Sequence, residues 1–65
     1  MTVHRTAPLT IAGLEEVYDC LAGAIDQAGP EKSELFLVKL ALLNARELGS
    51  ASQFAAQVQA ALRDL

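Results

Sequence analysis

From Leu35 to Leu43 the chain reads Leu-Phe-Leu-Val-Lys-Leu-Ala-Leu-Leu, nine residues with Lys39 as their one polar member, and this run constrains the fold more than any other feature. It falls far short of the roughly 20 apolar residues that span a bilayer, and it does not alternate as a half-buried strand does. Its flanks are those of a helix. Pro30 suits a first helical turn, where its missing N–H costs nothing. Glu31 and Glu34 favour the positive end of the helix dipole, and Gly49 suits a left-handed C-terminal position. These signals predict a helix over 31–48. On a wheel at about 100° per residue its apolar side chains occupy most of the circumference. Lys32, Lys39 and Arg46 hold one narrow polar sector at heptad spacing, while Glu31, Ser33, Glu34, Asn44 and Glu47 lie towards the two ends.

A helix of this kind needs neighbours, and the sequence provides two. Thr10 is a capping residue ahead of a predicted helix over 11–28, which Gly29 and Pro30 stop. Leu14, Val17, Tyr18, Leu21, Ile25 and Ala28 recur every three or four residues and form one stripe, with Glu15, Asp19, Ala22 and Asp26 on the wet side next to it. Ser50 and Gln53 match the capping box and open a third predicted helix over 51–63, whose stripe includes Phe54, Val58 and Leu62. Without period-two alternation or a hairpin dipeptide, no sheet is expected. The predicted fold class is all-α: one three-helix domain over 9–65 behind a disordered tail at 1–8, with helices 1 and 2 an antiparallel hairpin. An antiparallel turn at Gly29 sets Asp26 level with Lys32, Asp19 level with Lys39, and Glu15 within reach of Arg46.

Two partner helices in a chain of 65 residues do not cover every face of the middle one. Small domains supplement a thin core with disulfides, a metal or association. One cysteine, Cys20, makes no internal disulfide, and Cys20 with His4 falls short of the four ligands of structural zinc. Association remains. A twofold-symmetric homodimer is the commonest closed oligomer, and the expected interface on helix 2 is Leu35, Phe36, Leu40 and Leu43, with Leu37 beside them.

The net charge of −3, from eight Asp and Glu against five Lys and Arg, is opposite in sign to the basic excess that drives nucleic-acid binding. A lone cysteine suits a reducing compartment, and no apolar stretch near the N-terminus has signal-peptide length, so the expected location is cytoplasmic, with no membrane contact. Candidate chemistry is sparse. His4 sits in the tail without a companion ligand. Cys20 has no adjacent cation to activate it and reads as a small buried hydrophobe. Tyr18 falls in the apolar stripe and reads as core, with its hydroxyl at the edge. Glu15, Glu16 and Asp19 read as a solvated acidic face. No phosphate loop or activated nucleophile is present, and no cofactor, metal or catalytic residue is expected.

The segment Val17-Tyr18-Asp19-Cys20-Leu21, the run from Glu34 to Leu43 and the closing Glu47-Leu48-Gly49 together resemble a family of short bacterial all-helical proteins of unknown function. Its members carry a Tyr-x-x-Leu helix and then a Lys-Leu-x-Leu-Leu helix ending in Leu-Gly. The resemblance covers residues 9 to about 62. It implies an accessory role beside a cytoplasmic enzyme, since the family's genes are similar in setting to those of aromatic-catabolism enzymes such as flavin-dependent hydroxylases. The sequence as a whole reads as a non-enzymatic helical interaction protein that homodimerises through helix 2, an accessory or regulatory enzyme subunit. The alternative is a small-molecule binding module or minor enzyme with a pocket at the subunit interface, using Tyr18, Asp19 or Lys39.

Overall fold

A computed structural model describes residues 9–65 of the chain; the expected tail at 1–8 and His4 lie outside the described residues. The fold is all-helical, with α1 at Ile11–Ala28, α2 at Ser33–Leu48 and α3 at Ala51–Leu62. Local chemistry accounts for each boundary. The Gly13 N–H donates to Thr10 Oγ1 at 2.9 Å, which occupies one of the free amides of the first turn of α1. The Gln53 N–H donates to Ser50 Oγ at 3.1 Å and caps α3 in the same way. In place of the reciprocal Gln53 side-chain bond of a full capping box, Ser50 Oγ has Ser52 Oγ at 3.2 Å.

The two glycine stops differ. Gly49 sits in the left-handed helical region, at φ 75 and ψ 16, and its N–H donates to the Ala45 carbonyl, a standard helix ending. Gly29 has φ 84 and ψ 162, a region open essentially to glycine alone. Its carbonyl accepts from the Lys32 N–H at 3.1 Å and from the Ser33 hydroxyl at 2.7 Å. This double anchor holds residues 30–32 as a turn and explains why α2 starts two residues later than the sequence predicts. Lys32, at φ −117 and ψ 3, is not helical, and the ladder opens with the Phe36 N–H on the Lys32 carbonyl at 2.9 Å.

Helix α1 packs on α2 and α2 on α3, while α1 and α3 do not meet. The hairpin of α1 and α2 is hinged at the Gly29 turn and opens away from it. Among the described residues, no two α-carbons twelve or more positions apart come within 8 Å. The α-carbons of Asp19 and Lys39, and of Glu15 and Arg46, therefore stay farther apart than that, as in a hairpin that opens beyond its turn. Beyond the turn the two helices border an open cleft lined by Val17 and Cys20 on one side and Phe36 and Leu40 on the other. The α-carbon radius of gyration is 13.4 Å, where a compact chain of this length has about 10 to 11 Å.

The hinge geometry predicts an order of sensitivities. Gly29→Ala lowers stability by roughly 1–3 kcal/mol and Ser33→Ala by about 1 kcal/mol. Gly49→Ala costs only about 1 kcal/mol, because other residues tolerate the left-handed helical region better. Urea unfolding at one fixed protein concentration measures all three, and an equal loss for the two glycine variants contradicts the hinge assignment.

Candidate functional site

No described side chain is buried. The half-buried residues mark where the helices touch. On α1 they are Leu21, Ala24, Ile25 and Ala28 in the half nearest the turn, apart from Gly13, which lies against Leu9 and Thr10 at the other end. The other half of the predicted stripe is open: Leu14, Val17 and Tyr18 are exposed, Tyr18 at 70%. The expectation that Tyr18 packs in a core is thus corrected, because the splayed hairpin carries α2 away from the N-terminal turns of α1. Cys20 is also exposed rather than buried. It lines a cleft of about 640 Å³ between the two helices, together with Val17, Leu21, Phe36, Leu40 and Asn44.

Placing these exposures on the helical wheel of α2, at about 100° per residue, divides its surface into sectors. Phe36 and Leu40 are half-buried and face α1 across that cleft. Ala41, Ala45 and Leu48 form an adjoining half-buried sector on the side that leads into α3, whose half-buried contribution is Phe54. Leu37, at 40% exposure, falls between these two. The remaining sector belongs to neither neighbour. It carries Leu35, Val38 and Leu42, exposed by 57%, 49% and 64%, bordered on one side by Lys32, Lys39 and Arg46, with Leu43 beyond. A groove of about 350 Å³ runs along that border, lined by Lys32, Leu35, Phe36, Lys39, Leu40 and Leu43, with Ala28 at its end.

The structure thus distributes the five interface residues expected from sequence. Leu35 and Leu43 stand on open surface, Leu37 is partly covered, and Phe36 and Leu40 form the wall shared by the groove and the cleft. Sequence reasoning missed Val38 and Leu42 as members of the free stripe. Their three-and-four spacing from Leu35 was a usable signal, but a helix apolar nearly all round does not reveal which side its neighbours take.

The side-chain hydrogen bonds are local, and none uses a charged group. Among the described residues no group of three His, Cys, Asp or Glu side chains is placed to hold a metal ion, and no helix is long and apolar enough to cross a membrane. Glu15, Glu16 and Asp19 are all exposed on α1. Comparison with known proteins finds no family model that matches the chain, no curated protein that matches it and no solved structure that matches it.

The exposure of Cys20 is directly measurable. Its thiol should react with a neutral disulfide reagent in the native protein within about tenfold of the rate of a free cysteine at the same pH. A native rate that rises a hundredfold or more on unfolding contradicts the open cleft.

Proposed function

We propose that this chain is a non-enzymatic helical interaction module that homodimerises through α2, serving as an accessory or regulatory subunit of an enzyme. The observation that supports this most is the free sector of α2. Leu35, Val38 and Leu42 form a continuous apolar stripe that neither α1 nor α3 covers. Isolated surface leucines are ordinary, whereas contiguous apolar patches of several hundred Å² mark interaction sites. This stripe lies on the same helix as the groove beside Lys39.

Area supports the same reading. The chain exposes 5784 Å², whereas a compact protein of its 6.9 kDa mass exposes about 4,000 Å². The excess is roughly 1,800 Å², and a standard interface takes about 800 Å² from each partner. The surplus is of the size that an obligate assembly removes from water. The enzyme-subunit part of the proposal rests on the family resemblance carried by the Tyr18 to Leu21 and Glu34 to Gly49 segments.

Sedimentation of the purified chain at micromolar concentration tests the association, with twice the 6.9 kDa chain mass as the expected result and a folded monomer as the refutation. Leu42→Asp should disperse the dimer. Each buried leucine contributes about 1.5–3 kcal/mol and occurs twice in a symmetric pair, so the dissociation constant should rise at least about 100-fold. Gln59→Asp, on the exposed surface of α3, should leave it unchanged.

A further inference from the structure

The free stripe of α2 has a counterpart elsewhere in the same chain. On α1, the exposed residues Ile11, Leu14 and Tyr18 repeat the three-and-four spacing of Leu35, Val38 and Leu42. Each stripe has a charged border. Lys32, Lys39 and Arg46 run along that of α2, while Glu15 and Asp19, with Asp26 farther along, run beside that of α1. Written as heptads with the stripes at the two core positions, Glu15 and the three basic residues fall on the same flank, the position following the second core residue. Asp19 and Asp26 lie one step outside it. In an antiparallel helix pair, flanking positions of the same kind face each other across the seam. An antiparallel meeting of these two stripes therefore sets acid against base.

The chain does not make this match within itself. The α-carbons of Asp19 and Lys39, and of Glu15 and Arg46, lie more than 8 Å apart, and α1 approaches α2 on the Phe36 and Leu40 side, not on the free stripe. The simplest homodimer, α2 against α2, is disfavoured. Packed antiparallel, it brings the two basic rows together. Packed parallel, it needs the flank carrying Ala41 and Leu48, which is already half-buried.

We infer that the occupant of the free α2 stripe is α1 of a second copy of this chain, docked antiparallel and reciprocated, so that Glu15 and Asp19 of each protomer face the basic row of the other. This rests on the dimer reading above and specifies its geometry. Two symmetry-related contacts then cover the open stripes of both α1 and α2. Cys20 stays outside the seam, on the cleft side of α1.

Charge-reversed pairs test the geometry, using exposed positions only. Variant one carries Lys32→Glu and Lys39→Glu; variant two carries Glu15→Lys and Asp19→Lys. In a reciprocal dimer each variant alone sets like charges together at both contacts, so each should self-associate at least about tenfold more weakly than the unmodified chain at low salt. Mixed one to one, the two should form a heterodimer within about threefold of the original affinity, read by sedimentation or by native mass spectrometry. The chain carrying all four reversals should dimerise again as the unmodified chain does.

Three results overturn the inference. If variant two self-associates like the unmodified chain while variant one pairs preferentially with it, α2 meets α2, and the dimer reading survives with a different seam. If the four-reversal chain recovers while the mixture of the two variants does not, the charge rows pair within one chain. If the unmodified chain is itself a folded monomer, the dimer reading falls together with this one. Helical circular dichroism of each variant at matched concentration, compared with the mixture, separates weakened association from failure to form helices.

Discussion

A polypeptide helix that is apolar on nearly every side must be surrounded, and two short neighbours surround only part of it. Everything else about this protein follows from that coverage problem in α2. The covered sectors are set by where the chain turns: Phe36 and Leu40 meet α1 because the Gly29 turn folds α1 back on that side, and Ala41, Ala45 and Leu48 are sheltered on the side that leads through Gly49 to α3. The sector carrying Leu35, Val38 and Leu42 receives nothing. Partial coverage on one side of α2 leaves α1 partly uncovered too, since Leu14, Val17 and Tyr18 in its N-terminal half remain exposed.

Electrostatics then restricts how the deficit is made good. Exposed ion pairs contribute little energy, about 0 to 1 kcal/mol each, so the acidic row of α1 and the basic row of α2 do not hold an assembly together. In the proposed dimer their role is selection. A seam whose apolar layers fit equally well in several alignments is disambiguated by which charges meet. In the proposed dimer the driving force is leucine and tyrosine burial, and the orientation is set by Glu15, Asp19, Lys32 and Lys39.

Much of this fold is legible in the sequence because its signals are local. Thr10, Ser50, Gly29 and Gly49 act within one helical turn of their own positions, and each terminates or opens a helix where the residue chemistry demands. The start of α2 is less legible. Pro30 and Glu31 have the chemistry of a first turn, but the Ser33 hydroxyl competes for the Gly29 carbonyl and fixes a turn in their place. Tertiary placement is where the sequence falls short. The stripe from Leu14 to Ala28 has the periodicity of a core face along its whole length, yet only the half near the turn is sheltered. Periodicity reports that a face seeks cover and does not report whether the cover comes from the same chain. The same ambiguity lets Phe36, Leu40, Leu35 and Leu43 look equivalent in sequence, although the first two face α1 and the last two face solvent.

The hinge turns this ambiguity into a property of the molecule. A closed hairpin would spend the α1 stripe on its own α2. The Gly29 backbone, in a region that other residues scarcely reach, and the two hydrogen bonds on its carbonyl instead fix a turn beyond which the hairpin opens. Glycine reaches this region without a steric penalty, and the hydrogen bonds that fix it lie within the turn itself. The lone chain is thus a set of well-capped helices with a fixed opening and little apolar surface sheltered. In the proposed dimer, cover for the open stripes adds to the chain's stability, and folding and association are then linked by mass action.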